Sequence, residues 1–214
     1  VKADEQKPLA VGKVREFTSP IAYAPNAEAF IIKDADSLRE FASQAATSTK
    51  DVVFVADVDM TGSSWTPIEG YAGTIHGNGY AIKGLTAPLF GTTNASIKNL
   101  HLENLDLNIT DARHVVGGIA CVLQSTADAT AKLDGCTVSG KVTFATTYAA
   151  STQKDEEMAV SPMVAQSFGA QITNCQNNAS ITVTAASAPS QKNTYMCVAG
   201  IVGYATGIAD LGIT

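Results

Sequence analysis

"SIKNLHLENLDLNI", residues 96–109, has two chemically similar successors, "AKLDGCTVSGKVTF" at 131–144 and "AQITNCQNNASITV" at 170–183. Ile97, Leu133 and Ile172 take the same place in the three stretches, 36 and then 39 residues apart. Asn99 matches Gly135 and Asn174, and Leu100, Cys136 and Cys175 fill one inward position beside them. A second register relates "VVGGIACVL" (115–123), "VSPMVAQSF" (160–168) and "VAGIVGYAT" (198–206). Short β-prone runs that recur at such a period, with Gly or Asn at the joins, predict an all-β chain built as a stacked solenoid. One unit cannot bury its apolar side alone, so its neighbours must complete the core. Asn and Gly suit the corners because they tolerate left-handed backbone. The repeats carry no 3.6-residue period, which excludes a helical solenoid. A β-sandwich also uses many short strands; the fixed repeat favours the solenoid over it.

Upstream, residues 1–30 hold three prolines and no sustained period, and they read as a tether or irregular lead-in to a domain over 31–214. Ser37-Leu38-Arg39-Glu40 fits a capping box, and Leu38, Phe41, Ala42 and Ala45 fall on one face of a short helix over 37–46. Such a helix suits the cap of a stack end. "DVVFVADVDM" (51–60) is apolar almost throughout and predicts a strand buried on both faces, opening a first coil over 51–91. Repeat coils follow over 96–214, the last one breaking off soon after it begins in "GIADLGIT". An uncapped end of this kind invites association with another chain.

Within the first coil, "WTPIEGYAGTIHGNGYAIKGL" (65–85) is rich in glycine, yet it fits no nucleotide-binding loop. Gly77-Asn78-Gly79 lacks the third glycine of a dinucleotide fingerprint, and Lys83-Gly84 reverses the phosphate-loop order. Gly73, Gly77 and Gly79 are expected instead at corners, for positive φ or close backbone approach. Trp65, Tyr71 and Tyr80 could stack on a sugar, but Trp65 beside a proline reads better as a cap over the coil end. His76, His101 and His114 are the only histidines, and their spacing demands no metal. No metal and no cofactor are expected.

The chain carries 14 basic and 20 acidic residues, a net charge of −6, and no basic stripe that would bind nucleic acid. No apolar run approaches the roughly 20 residues of a membrane-spanning helix. The first residue is Val1 rather than Met, as in a processed exported protein. The cysteines at 121, 136, 175 and 197 form no Cys-x-x-Cys pair, so zinc-ribbon and thioredoxin-like sites are excluded on spacing. Their even number allows two disulfides, but Cys136 and Cys175 read as equivalent buried repeat positions, small hydrophobes rather than a bridge. Asn94, Asn108 and Asn178 head Asn-x-Ser/Thr sequons that also fit corner asparagines.

The segment "DVDMTGSSWTPIEGYAGTIHGNGYAIKGL", followed by "PLFG" and "SIKNLHLEN", resembles the opening of GLUG-motif proteins. "VGGIACVL" and "VAGIVGYAT" are similar to the glycine-rich GLUG units, each followed by an Ile/Leu-x-Asn/Gly-Cys strand. The resemblance spans roughly residues 30–214 and departs in the middle unit, where "SPMVAQ" stands in place of Gly-Gly-Ile and implies a looser corner. Such proteins are exported, common on Gram-negative gut bacteria, and also found ahead of some bacterial IgA-cleaving metallopeptidases. The resemblance implies a right-handed parallel β-helix at the cell surface, lipid-anchored upstream of Val1 or else secreted. It implies no settled biochemical activity.

Three segments, 110–114, 146–157 and 185–194, follow the same strand of successive coils and should protrude from one side. Arg113, His114, Tyr148, Gln153, Lys154, Gln191, Lys192 and Tyr195 would line that ledge. Their mixed polarity suits glycan or protein better than lipid. The first expectation is therefore a non-catalytic adhesion module recognising an extracellular glycan or a host or matrix protein. An enzyme acting on polysaccharide, or its accessory domain, is the alternative, and a structural spacer is the third. Hydrolysis needs two carboxyl groups across one sugar bond. The candidates are Asp57 with Asp59, Asp111 beside Arg113 and His114, and the run Asp155, Glu156, Glu157.

Overall fold

The computed structural model describes residues 28–110, 115–146, 157–185 and 195–207. Residues 1–27 of the expected lead-in, and the residues from 208 onward in the expected incomplete coil, lie outside the described residues. The described chain opens with β1 (Phe30–Ile32), α1 (Ala35–Gln44), a 3-10 turn at Ala45–Thr47, β2 (Val52–Phe54) and β3 (Val58–Asp59). A three-strand unit follows: β4 (Thr74–His76), β5 (Ala81–Lys83) and β6 (Phe90–Thr93). The first four-strand repeat is β7 (Ser96–Lys98), β8 (His101–Ile109), β9 (Val115–Gly117) and β10 (Ala120–Gln124). The second is β11 (Lys132–Asp134), β12 (Thr137–Thr146), β13 (Glu157–Ser161) and β14 (Val164–Phe168). The third is β15 (Gln171–Thr173), β16 (Gln176–Ala185), β17 (Tyr195–Val198) and β18 (Val202–Thr206).

These strands make four sheets, with orders β1-β2-β4-β7-β11-β15, β3-β5-β8-β12-β16, β6-β10-β14-β18 and β9-β13-β17. Every pairing between them is parallel. The protein is therefore all-β with one short helix, and each four-strand repeat places one strand in every sheet, in the same order. Ile97, Leu133 and Ile172 stand in one row across the first sheet, as the sequence repeat requires, and the structure extends that row to Val52 and Ile75. Side chains from all four sheets join one core cluster, among them Ile97, Leu102, Leu123 and Val116. Burying each aliphatic side chain stabilises the fold by about 1.5–3 kcal/mol.

Corners carry the backbone the repeat predicts. Asn99, Gly135 and Asn174 all have positive φ, at 47, 64 and 53°. In the glycine-rich stretch Gly79 has φ of 82°, and a side chain on Gly77 would lie 2.3 Å from the Asn99 carbonyl oxygen of the next repeat. Gly73 is likewise hemmed in, by the Tyr71 ring and the Thr49 carbonyl. All three glycines therefore serve backbone geometry.

Several expectations need correction. The cap of α1 is Asp34, not Ser37: its carboxylate accepts the Ser37 N–H at 2.8 Å, and Ser37 Oγ accepts the Asp34 N–H at 3.1 Å. The cap thus lies three residues before the serine, where a carboxylate also meets the positive end of the helix dipole, and the helix starts at Ala35 rather than at 37. The apolar face is as expected, with Leu38, Phe41 and Ala45 each 1% exposed. Residues 51–60 are not one buried strand but two short ones in different sheets, and Asp57 and Asp59 sit exposed either side of buried Val58. The second register is off by one in its first member: Val116, not Val115, pairs with Val160 and through it Val198. Nor is the Ser161-Pro162-Met163 corner loose. Ser161 is fully buried, donates to the Ile201 carbonyl at 2.9 Å, and accepts the Met163 N–H at 3.1 Å.

Denaturant unfolding should show Leu133→Ala losing about 2–5 kcal/mol, as for a large-to-small core change. Ile172→Ala, at the partly exposed end of the same row, should lose less than half of that. Gly140→Ala should be worse than Gly79→Ala: both have positive φ, but only the Gly140 methyl would strike backbone, 2.2 Å from the Leu105 carbonyl oxygen. The strain of Gly79→Ala alone is worth about 1–2 kcal/mol.

Candidate functional site

Alternation along β8 and β12 turns Leu105, Leu107 and Val142 inward and sends Asp106, Asn108, Lys141 and Thr143 outward. The register sets Asp106 beside Lys141 and Asn108 beside Thr143. A bulge between Val138 and Gly140 makes this possible, because β8 has one residue more than β12 there and Asn104 takes it up at φ of 54°. Lys141 Nζ lies 3.2 Å from Asp106 Oδ2, an exposed pair worth under about 1 kcal/mol that mainly orients both side chains.

Two adjoining hollows open on this face. One, of about 470 Å³, is lined by Thr86, Asp106, Asn108, Lys141 and Thr143. Its neighbour, of about 260 Å³, shares Thr86 and Asn108 and has a more apolar wall including Pro88, Ile109, Val115 and Cys121. Together they offer a carboxylate, an amide, an ammonium and three hydroxyls beside an apolar shoulder. Among the described residues a single carboxyl group, Asp106, lines the two.

Of the eight ledge residues, Arg113, His114, Tyr148, Gln153, Lys154, Gln191 and Lys192 lie outside the described residues, as does the side chain of Tyr195, whose backbone opens β17. Asp111, Asp155, Glu156 and the side chain of Glu157 lie outside them too. The anchors of all three segments are described. β8, β12 and β16 are neighbours in one sheet, and β9, β13 and β17 in another, so the segments leave and rejoin the fold at adjacent positions. Ile109, Thr110 and Val115, the anchors of the first segment, line the smaller hollow. The hollow residues themselves escaped sequence reasoning. Their signal is the outward alternation in "LDLNI" and "GKVTF", legible only once the two repeats are set in register.

Other candidates resolve into structural contacts. Lys83 Nζ lies 2.7 Å from Asp57 Oδ2 and 3.7 Å from Glu103 Oε2. That lysine contact, with the Ala81 N–H, holds the Asp57 carboxyl below the usual carboxylate range. Hydrogen bonds from Thr61 lower Asp59 likewise. Neither is suited to general-acid work, which needs a raised pKa. Asp134 is lowered by Thr173 Oγ1 at 2.7 Å and Asn174 Nδ2 at 2.8 Å, a polar clamp between successive repeats.

Tyr71 is fully buried, with its hydroxyl donating to the Lys50 carbonyl at 2.7 Å, so it belongs to no exposed sugar platform. Trp65 packs partly buried on the core and donates Nε1–H to the Leu89 carbonyl at 3.3 Å. His76 lies 3.6 Å from Asp51, while His101, in a different sheet, meets Thr137 at 2.8 Å. Among the described residues no three His, Cys, Asp or Glu side chains gather as a metal site, and no helix is long and apolar enough to cross a membrane. Comparison with family models, curated proteins and solved structures finds no match to this chain.

Burial lowers the His76 pKa below 6.5, so acidification protonates the unfolded chain first. Asp57, Asp59 and Asp134 are held below 3.8, so their contribution is complete above that value and is lost as pH falls through the depressed ones. Melting curves against pH should fall gently below about 6.5 and steeply below about 4. His76→Gln should remove the first slope and leave the second.

Proposed function

We propose that this chain is a right-handed parallel β-helix of the GLUG-motif type, exported to the cell surface or secreted. It acts there as a non-catalytic module that binds an extracellular glycan or protein. Four parallel ladders joined to one core support the β-helix reading, because each repeat must circle the core once to reach its own place in all four sheets. Right-handedness follows from the strong bias of parallel crossovers. The strands that anchor the ledge segments 110–114, 146–157 and 185–194 include β8 and β12, whose Asp106, Asn108, Lys141 and Thr143 form the trough with Thr86.

The observation that carries the binding reading is this trough at the foot of the ledge. Its hydroxyl, amide, carboxylate and ammonium groups match the donors and acceptors of sugar hydroxyls.

Binding of the chain to arrays of host and microbial glycans and matrix proteins tests the reading. A saturable ligand is expected, with Asn108→Ala or Lys141→Ala weakening it about three- to tenfold, the worth of one hydrogen bond. Lys154→Ala, Lys192→Ala and Tyr195→Ala should weaken it cumulatively. A blank array, or a ligand indifferent to all five substitutions, would sink the proposal.

A further inference from the structure

Cys136 and Cys175 occupy one position in successive repeats, just before β12 and β16. The ladder is in register on both sides of them: Asp134 pairs with Thr173, and Thr137 with Gln176. The Gln176 N–H donates to the Cys136 carbonyl at 3.0 Å, so the two backbones are directly bonded at this point. Neighbouring parallel strands lie about 4.8 Å apart, inside the Cα separation a disulfide spans. The sulfurs point the same way: Cys136 Sγ lies 3.8 Å from the Ile97 carbonyl oxygen, and Cys175 Sγ 3.6 Å from that of Leu133, the equivalent residue one repeat on. All four cysteines are thiols in this structure.

The two sites differ in access. Cys136 is fully buried, whereas Cys175 is partly exposed, since β15 and β16 have no further neighbour among the described strands. A hydrogen bond from Cys136 also pulls the Cys175 thiol down to about 7, while that same contact, with burial, pushes Cys136 up. An accessible, acidified thiol beside a protected partner is the arrangement of an attacking and a resolving cysteine.

We propose that Cys175 and Cys136 form a dithiol–disulfide site that takes low-molecular-weight disulfides and closes as a covalent staple between the last two repeats. In the first step the Cys175 thiolate attacks one sulfur of the small disulfide. The reagent S–S bond breaks, and one small thiolate leaves and takes a proton from water. Cys136 then gives its proton to solvent and attacks the Cys175 sulfur, expelling the second small thiol. The protein loses two electrons and two protons, and the reagent is reduced to two thiols. The staple closes a loop of about 40 residues and should hold β15 and β16 against peeling from the stack.

The test uses the reduced 214-residue chain with glutathione disulfide as the probe. Thiol titration should fall from four to two, and non-reducing peptide mapping should join the Cys136 peptide to the Cys175 peptide. The melting midpoint should rise by roughly 5 °C or more and return on adding dithiothreitol. Cys136→Ser should stall Cys175 as a mixed disulfide with glutathione, and Cys175→Ser should leave Cys136 unmodified. The wild-type peptide map decides the matter without either variant. Cys136 and Cys175 both alkylated in full after oxidation, or bridged instead to Cys121 or Cys197, would overturn the proposal.

Discussion

Parallel pairing in register, one repeat on the next at about 4.8 Å, is the constraint from which the rest of this protein follows. A parallel ladder sets like beside like, so a residue that suits one repeat must suit the position above and below it. Val52, Ile75, Ile97, Leu133 and Ile172 form an apolar row because each completes the burial of its neighbours. The same rule sets Cys136 beside Cys175 and Asp134 beside Thr173, where stacking yields a pair of thiols and a polar clamp in place of apolar contact.

Length differences between repeats cannot be absorbed inside a ladder without breaking it. The fold places them at bulges and connections. Asn104 absorbs one extra residue at positive φ within β8, leaving the pairs on either side intact. The large differences fall between the second and fourth sheets, where segments of unequal length join strands that stay in register. That is where loop length is free to vary, and it is also where the smaller hollow lies.

Corners set a second, local condition. The chain must leave one sheet and enter the next within a residue or two, and Asn99, Gly135 and Asn174 do so with left-handed backbone. A glycine beside a stacked backbone often has no room for a methyl group, as at Gly77 against Asn99 and Gly140 against Leu105. The glycine-rich stretch near residue 75 is thus explained by turning and close approach, with no ligand required.

From sequence alone, the repeat period, the corner residues, the apolar face of the helix and the Ile97, Leu133 and Ile172 row of the first sheet were legible. Each is a local pattern that stacking merely copies. The exact helix cap was not, because Asp34 and Ser37 are both residue types that cap helices, and only geometry shows Asp34 at the cap with Ser37 as its reciprocal partner in the first turn. Nor was the division of residues 51–60 between two sheets, since an apolar run records burial but not direction. The alignment of Val116 rather than Val115 with Val160 likewise depended on which amide meets which carbonyl. The trough of Thr86, Asp106, Asn108, Lys141 and Thr143 gathers residues from separate repeats, so no contiguous motif announces it. Sequence determined the units and their period, because these arise within the chain. Tertiary structure alone decided which outward side chains share a hollow and which thiols become neighbours, because those distances exist only between repeats.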